Sequence, residues 1–313
     1  MSDLVTIDTT NYAAMAKAMG IAGENTSTDK KSNTLPRLKI NHSPIMGEEE
    51  IKGKMTKVEV VGGGTYKLDI PDDKAVYSTS ATIRPFLQRF MYKRFLKNMN
   101  AKPGEPMGTY HKTLMADNLN IDLKDNQGGF NCGKPSGYIQ DFKSLPEKTQ
   151  ELIKQIKRVR VVFGLVDLID PVNEKGDTVE VGSQPFIWEI DNRDAFKTMA
   201  MPFTKLSQMK RLPVQHNVTL GTEERKLPNG NCFYLPTASL DISKTIDLSS
   251  TDQEMFANFL SWVENYNSYI ISEWDSKANH HDEEDNSVVN DFIDIEEEVA
   301  SCNTVVNWRL VST

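Results

Sequence analysis

Residues 83–95 read IRPFLQRFMYKRF, and aromatic, basic and aliphatic side chains interleave here without a helical stripe. Successive side chains of a β-strand point to opposite faces of the sheet. Written as a strand, the run has one face made of Phe86, Gln88, Phe90, Tyr92 and Arg94. Its other face is made of Leu87, Arg89, Met91, Lys93 and Phe95. We therefore predict a β-strand over these residues.

Several segments on both sides of this strand share the alternation of apolar and polar residues that predicts β-strands. They are residues 57–61, 65–70, 158–169, 178–181, 185–190, 214–220, 222–226 and 232–235. The three glycines Gly62–Gly64 predict a hairpin between the first two segments. Turns at 173–177 and 228–230 predict two more hairpins. Short strands at such intervals favour a small barrel.

The clearest helical pattern lies at residues 251–274. Thr251 and Glu254 form a capping box, and apolar residues follow with a period of 3.6. A second helical segment, 193–211, is expected to break at Pro202, because proline has a fixed φ and no N–H. We predict a mainly β protein with inserted helices, of the α+β class. Its body is expected to be a small barrel, with the long C-terminal helix packed on it.

Three regions are expected along the 313 residues of the chain. Residues 1–34 combine a short helix-compatible stretch with a polar linker, and they predict an N-terminal arm. Residues 35–274 are expected to form the barrel-like body, which includes the C-terminal helix. Residues 275–313 are expected to form an acidic tail that ends in an apolar segment.

Most of the negative charge is concentrated in that tail. The chain has 36 basic and 44 acidic residues, and its net charge is −8. Residues 275–298 contain ten acids and one lysine, a net charge of −9, so the rest of the chain carries +1. The low overall charge therefore does not exclude a polyanionic partner for the body.

The composition and the cysteines limit the class of protein. With 38% apolar residues, the chain has enough material for a core, which excludes wholesale disorder. It has no apolar run of about 20 residues and no signal-peptide pattern at its start. We expect a cytoplasmic protein without a membrane partner. Cys132, Cys232 and Cys302 fit neither a disulfide framework nor a zinc knuckle, and free thiols are expected.

Motifs of catalysis are missing from the sequence. It contains no GxxxxGK[ST] loop, no HExxH and no GxSxG, and no two of its five histidines are spaced i, i+4. We expect neither an enzyme nor a cofactor nor a bound metal. A metal-dependent nuclease stays an alternative, because its carboxylates can be far apart along a chain. Its candidate ligands are Asp167, Asp170, Glu180, Glu189 and Asp191.

The mixture of cations and rings in residues 84–97 is typical of proteins that bind single-stranded nucleic acid. Such proteins combine a basic groove for the phosphates with aromatic rings that stack on bases. The expected phosphate contacts are Arg84, Arg89, Lys93, Arg94, Arg158, Arg160, Lys205, Lys210 and Arg211. The expected stacking residues are Phe86, Phe90 and Tyr92. The alternative for each single ring is a place in the core.

The acidic tail carries apolar residues among its acids, as a docking peptide does. The expected partner-binding residues are Asp291, Phe292, Ile293, Asp294, Ile295, Glu296, Glu297 and Glu298. A flexible segment of like charge can also occupy a basic groove until DNA displaces it. The alternative is a tail that only keeps the protein soluble.

In its arm, β-rich body and acidic segment DFIDIEEE (291–298), the chain resembles the single-stranded DNA-binding proteins of tailed bacteriophages. The resemblance implies that the body, residues 35–274, is an oligonucleotide-binding (OB) barrel that binds single-stranded DNA, and that the tail recruits replication or recombination proteins. One departure is that residues 300–313 follow Phe292, whereas such tails typically end near an aromatic residue. Residues 303–311 alternate like a strand that folds back on the body.

The leading hypothesis is therefore a non-enzymatic, sequence-nonspecific single-stranded DNA-binding protein of phage replication and recombination. The alternative is a virion-structural or assembly protein that self-associates. In that case the N-terminal arm and residues 303–311 would be exchanged between subunits.

Overall fold

The computed structural model of the chain describes residues 34–278, except residues 52, 53, 103, 105, 228 and 229. The predicted N-terminal arm, apart from Thr34, lies outside the described residues. The tail predictions beyond Ala278, including the docking residues 291–298 and the strand 303–311, also lie outside them.

The described chain is mainly β, with a few helices, which confirms the α+β class. Its strands are β1 (Arg37–Asn41), β2 (Ile45–Ile51), β3 (Lys54–Val61), β4 (Thr65–Asp69), β5 (Val76–Ser78), β6 (Ser80–Lys97), β7 (Gly108–Lys112), β8 (Lys157–Ile169), β9 (Gln184–Ile190), β10 (Val218–Lys226) and β11 (Cys232–Leu240). Its α-helices are α1 (Glu147–Gln155), α2 (Arg193–Thr198), α3 (Ala200–Gln208) and α4 (Ser250–Ala278).

Within the described residues, nine strands form one sheet in the order β11-β10-β6-β8-β9-β1-β4-β5, and β7 also pairs with β6. The ladders are antiparallel except the one between β1 and β9. No ladder joins the ends of this sheet, so the predicted closed barrel is not confirmed. The predicted hairpins β8–β9 and β10–β11 are confirmed.

The predicted hairpin around Gly62–Gly64 is wrong. β3 pairs with β2 in a separate two-stranded ribbon, whereas β4 pairs with β1 and β5 in the main sheet. The glycines therefore lead the chain from one sheet into the other. Gly64 has a positive φ of 82°, and its N–H donates to the carbonyl of Asn41. This conformation is easily adopted by glycine.

The long strands β6 and β8 form the centre of the sheet, and β6 contains a bulge. The register shifts between Pro85 and Leu87, so Phe86 is the extra residue. A bulge places two neighbouring residues opposite one partner. Phe86 and Leu87 consequently belong to the same core cluster, and the predicted placement of Phe86 on the face of Phe90 is wrong.

Each face of the sheet is covered by helices. On the α4 face, Phe259 and Val263 of α4 pack with Phe86, Met91 and Phe163. On the opposite face, which we call the α2–α3 face, Ala195 and Met199 join a second core of buried residues from eight strands. These strand residues are Leu38, Tyr66, Leu68, Val76, Ala81, Ile83, Val162, Val166, Leu168, Phe186, Trp188, Ile190, Val218, Leu220 and Leu235.

The helices follow the sequence pattern closely, with two differences. The first is that the capping box of α4 is formed by Ser249 and Asp252 and not by Thr251 and Glu254. α4 begins at Ser250 and continues to Ala278, which confirms the predicted helix and extends it by one turn. The second helical segment breaks at Met199, not at Pro202. Pro202 lies in the first turn of α3, where a backbone N–H needs no intrahelical partner, so proline is tolerated there.

Residues 113–145 form a mostly irregular segment over the end of β6. Leu123 and Cys132 pack on Tyr92 in a small third core. The turn Asn131-Cys132-Gly133 has three successive positive φ angles, 55°, 58° and 89°. No described helix is long and apolar enough to cross a bilayer.

Candidate nucleic-acid interface

Arg160 of β8 is enclosed by aromatic rings on the α2–α3 face. The centre of its guanidinium lies 4.9 Å from the ring centroid of Phe90, 4.7 Å from that of Phe196 and 5.8 Å from that of Phe203. Phe90 lies directly opposite Arg160 in the β6–β8 register, and Phe196 is carried by α2. The rings of Phe90 and Phe196 are 6.0 Å apart. We call Phe90, Arg158, Arg160 and Phe196 the guanidinium cluster.

The charge of Arg160 has no acidic partner among the described residues. Its side chain donates to Oε1 of Gln88, and its buried Nε has no hydrogen-bond partner. Arg160 is 5% exposed, and this burial lowers its pKa to about 10. Burying a charge without a counter-ion costs free energy, and the negative faces of the three rings offset part of that cost.

Two further cations lie at the edge of this site. The exposed guanidinium of Arg158 lies 5.9 Å from the ring of Phe196. Nζ of Lys134 lies 5.8 Å from the ring of Tyr92, which neighbours Phe90 on the same face. Burial lowers the pKa of Lys134, Asp122 raises it, and the positive charge of Arg158 lowers it further. The cluster therefore holds two cations, Arg158 and Arg160, with Lys134 as a third at its edge, and Arg158 is open to solvent.

Of the residues predicted from sequence, the structure brings together Phe90, Arg158 and Arg160. Tyr92 lies beside them, but its ring is 4% exposed, and its hydroxyl donates to the carbonyl of Leu119. Phe86 is also buried, 5.7 Å from the ring of Phe259. Neither ring has the open face that stacking on a base requires.

The other predicted cations of β6 have partners elsewhere. Arg84 makes a two-pronged ion pair with Asp252 of α4, at 2.9 and 3.0 Å. Arg89 pairs with Asp117 at 2.8 Å, and Lys93 pairs with Glu189 at 2.8 Å. Arg94 lies 3.3 Å from Nδ1 of His111. Their position on one strand therefore does not make them one surface, because a strand distributes them over two faces.

The three predicted cations after α2 are exposed and separate from the cluster. Lys205 lies near the end of α3, and Lys210 and Arg211 follow that helix. Arg211 donates to the carbonyl of Ile242. No contact joins these three residues to Arg160 in the described part of the chain.

Sequence reasoning missed Phe196 and Lys134. Phe196 is an aromatic residue in a short helical segment, and Lys134 follows a run of glycines and asparagine. Neither local pattern differs from that of an ordinary helix or loop. Only the packing of α2 and of the segment 113–145 against β6 brings Phe196 to Arg160 and Lys134 to Tyr92.

One group of buried side chains has the composition of a metal site. His111, Asp125 and Cys132 each have one potential ligand atom within 4.8 Å of the other two. Arg94, which only donates, lies at Nδ1 of His111, so Nε2 carries the proton and is 2.9 Å from Oδ1 of Asp125. Burial and the charge of Asp125 raise the pKa of Cys132. We interpret the group as a structural network, because the imidazole offers no free lone pair.

The carboxylate of Asp125 also holds the neighbouring loop. Its Oδ1 accepts from the N–H groups of Gln127 and Gly129, and its Oδ2 accepts from the N–H of Cys132. These bonds stabilise the turn with positive φ angles, which costs free energy for residues other than glycine.

The carboxylates considered for a nuclease do not gather into a group of three in the described chain. Glu189 pairs with Lys93 and lies 3.5 Å from Arg37, and Asp191 pairs with Lys157. Burial alone would raise the pKa of Glu189, but Lys93, Lys112 and Arg37 hold it below its usual value. Such an acid serves as a counter-ion for its lysine and arginine neighbours.

Comparison with known proteins does not assign the chain to a family. No family model, no curated protein and no solved structure matches this sequence or fold.

Proposed function

We propose that this protein binds single-stranded DNA without sequence preference, and that it acts in phage DNA replication or recombination without catalysing a reaction. The observation that carries the proposal is the buried guanidinium of Arg160, which lies among three phenylalanine rings and has no acidic partner in the described chain. A phosphate of DNA would supply the missing negative charge.

The neighbouring residues fit a strand of DNA better than a small anion. Phe90 and Phe196 are half-buried rings beside the guanidinium, and each stacked base contributes about 1–3 kcal/mol to binding. Arg158 adds an exposed positive charge for a neighbouring phosphate. Because rings stack on every base, binding at such a site has little sequence preference.

The proposal includes an OB-like arrangement of the sheet. The hydroxyl of Tyr66 donates to the carbonyl of Gly221 at 2.8 Å, and the hydroxyl of Thr222 donates to the carbonyl of Gly64 at 2.7 Å. These bonds connect β4 and the Gly64 turn with β10, which lies on the other side of β6 and β8 in the sheet order. They support a curled sheet that works as an incomplete barrel.

The acidic tail is proposed to compete with DNA for the body and to recruit other replication or recombination proteins. Its net charge of −9 over residues 275–298 supports this role, since the rest of the chain is close to neutral. The competing hypothesis of an assembly protein depends on residues 1–33 and 303–311, which lie outside the described residues.

The test is binding of a labelled single strand of about 30 nucleotides, followed by fluorescence anisotropy at two salt concentrations. We expect wild-type protein to bind the single strand more tightly than the matching duplex, and less tightly in high salt. Arg160→Met should weaken binding at least about tenfold and reduce the salt dependence, because one phosphate contact is lost. Methionine suits the apolar surroundings, so the fold should persist.

Arg225→Met is the matched control, since Arg225 is exposed on β10 and pairs only with Glu223 among the described residues. It should leave DNA affinity within about twofold of wild type. Absence of wild-type binding to the single strand would overturn the proposed function. Equal affinities of Arg160→Met and wild type would exclude the guanidinium cluster as the binding site.

A further inference from the structure

Strand β6 continues beyond the rest of the sheet at its C-terminal end. Lys93 is its last residue that pairs with β8, opposite Lys157. Residues 94–97 pair only with β7 in the described structure. Residues 94–97 and 108–111 therefore form a two-stranded extension, which we call the β6–β7 ribbon.

The ribbon presents a pair of aromatic rings to solvent. Phe95 and Tyr110 lie opposite each other in the β6–β7 register, and their ring centroids are 5.1 Å apart. They are 44% and 49% exposed. Gly108 allows this arrangement, because a Cβ at this position would lie 2.6 Å from Cζ of Phe95.

Two lysines lie close to the ring of Tyr110. Nζ of Lys93 lies 4.5 Å from the centroid of Tyr110, and Nζ of Lys112 lies 5.6 Å from it. Residues 93–112 contain five lysines and arginines and one glutamate, a net charge of +4 in a chain of net charge −8. This concentration of positive charge indicates a polyanionic partner.

The ribbon also exposes two methionines at its end, Met99 and Met107, which are 81% and 70% exposed. Exposed apolar side chains grouped on one projection mark an interaction surface. Rings and thioethers among lysines match the bases and phosphates of a nucleic acid strand.

The ribbon and the guanidinium cluster lie on the same strand but on opposite faces. Phe90 is directed to the α2–α3 face, where it meets Phe196. Phe95 shares the other face with Lys93, whose partner Glu189 lies there. Five residues of β-strand separate Phe90 from Phe95, a distance of about 17 Å along the strand.

We propose that the β6–β7 ribbon is a second stacking subsite for the same DNA strand. The inference rests on the proposed function and adds to it the path of the DNA. A strand that contacts both sites passes from the α2–α3 face, around the end of the sheet, to the rings of Phe95 and Tyr110. Short oligonucleotides then occupy one site, and longer ones occupy both.

The test compares full-length wild type with the double variant Phe95→Ala, Tyr110→Ala, using labelled oligothymidylates of about 5 and about 20 nucleotides. Wild type should bind the longer strand more tightly than the shorter one. The ratio of the two affinities should exceed the statistical gain that comes from the larger number of binding positions on the longer strand. The double variant should lose about tenfold or more of its affinity for the longer strand, because two stacked bases lose their platform. Its affinity for the shorter strand should change less than about threefold.

Tyr269→Ala is the control, because Tyr269 is 57% exposed on α4 and lies outside the ribbon. It should bind both oligonucleotides as wild type does. If the double variant binds the longer strand as tightly as wild type, the subsite is excluded while the proposed function stands. Equal losses for both lengths would also contradict the subsite, because they indicate one site.

Tighter binding by the double variant would overturn the inference as well. It would show that the ribbon holds a competitor of DNA, such as the acidic tail or a second protein. Failure of wild type to bind either oligonucleotide would instead contradict the proposed function itself, so the two failures are distinguishable.

Discussion

Arg84 shows how a single cation of the aromatic and basic strand contributes to the fold. Its Nε donates to the carbonyl of Val214 at 2.6 Å, and its two Nη atoms reach the carboxylate of Asp252. The side chains of Arg84 and Asp252 are 15% and 11% exposed. Asp252 also accepts from the N–H of Ser249, and it lies in the first turn of α4. The pair therefore attaches the start of α4 to β6.

We expect Arg84→Ala to lower the free energy of unfolding by about 3 kcal/mol at pH 7, because it leaves a buried carboxylate without its partner. Burial alone would raise the pKa of Asp252, but bonds from Ser249 and Arg84 hold it below its usual value. A lowered pKa in the folded state stabilises the protein above the unfolded value of about 3.9. The difference between wild type and variant should therefore shrink as the pH falls below about 4, as measured by urea denaturation.

The control for this prediction is Arg225→Ala, because the side chains of Arg225 and Glu223 are 54% and 52% exposed. Exposed ion pairs contribute less than about 1 kcal/mol. Equal destabilisation by the two variants would show that the pair of Arg84 and Asp252 does not attach α4.

The bulge in β6 is the element that the sequence did not reveal. Alternation correctly predicted the strand and placed Gln88, Tyr92 and Arg94 on the same face as Phe90. It misplaced Phe86, because a bulge adds one residue without a distinctive local pattern. Pro85 is the nearest local indication, since proline within a sheet is confined to edges and bulges. Strand β7 was not revealed by the sequence either, because it lies in a segment rich in glycine, proline and asparagine.

The bulge depends on Gly164 of β8, which lies opposite Pro85. A Cβ at Gly164 would lie 2.3 Å from the carbonyl oxygen of Arg84, a backbone atom that cannot turn away. We expect Gly164→Ala to lower the free energy of unfolding by about 2 kcal/mol or more, because overpacking shifts the central strands. Gly182→Ala is the control, since no atom lies within 4 Å of its Cβ position. Equal melting temperatures of the two variants would contradict this role of Gly164.

At the scale of the whole molecule, positive charge is concentrated around the β6–β7 ribbon, and negative charge is concentrated in the acidic tail. Residues 93–112 carry +4 and residues 275–298 carry −9. The last described turn of α4 lies near β7, because Nζ of Lys277 donates to the carbonyl of Asn126, and the side chain of Asn126 donates to the carbonyl of Tyr110. Lys277, near the start of the acidic segment, is therefore linked to Tyr110 of β7 through Asn126.

Neutralising part of the tail should strengthen DNA binding. We expect Glu296→Gln, Glu297→Gln, Glu298→Gln in the full chain to raise the affinity for a single strand several-fold at low salt, because fewer charges compete with the phosphates. The gain should vanish near 1 M salt, where the Debye length is about 3 Å. Anisotropy titrations at both salt concentrations measure it.

The chain offers a control with the same change in net charge. Glu48, Glu49 and Glu50 are three successive exposed glutamates of β2. Their replacement by glutamine also removes three negative charges and so raises the net charge by three. This variant should raise the affinity less than the tail variant. Equal gains would mean that net charge alone, and not the tail, sets the affinity.

The candidate site was predictable in part, for a physical reason that the molecule makes clear. Phe90, Arg158 and Arg160 lie on two long strands whose alternation is legible in the sequence, and antiparallel pairing brings them together. Phe196 and Lys134 arrive from a helix and a loop through contacts between distant parts of the chain. The aromatic pair of Phe95 and Tyr110 requires the register of β7, which local propensity does not define.

The position of α4 at the end of the folded body has a consequence for biosynthesis. Phe86 and Arg84 meet Phe259 and Asp252 only after about 170 further residues have been made. At about 5–20 residues per second, translation needs roughly 10–30 s for that length. During this interval the apolar face of β6 that packs on α4 is exposed in the nascent chain, because α4 has not yet been made. Folding of the body therefore cannot be completed until α4 has been made, and we expect chaperones that shield exposed strands to raise the yield of folded protein.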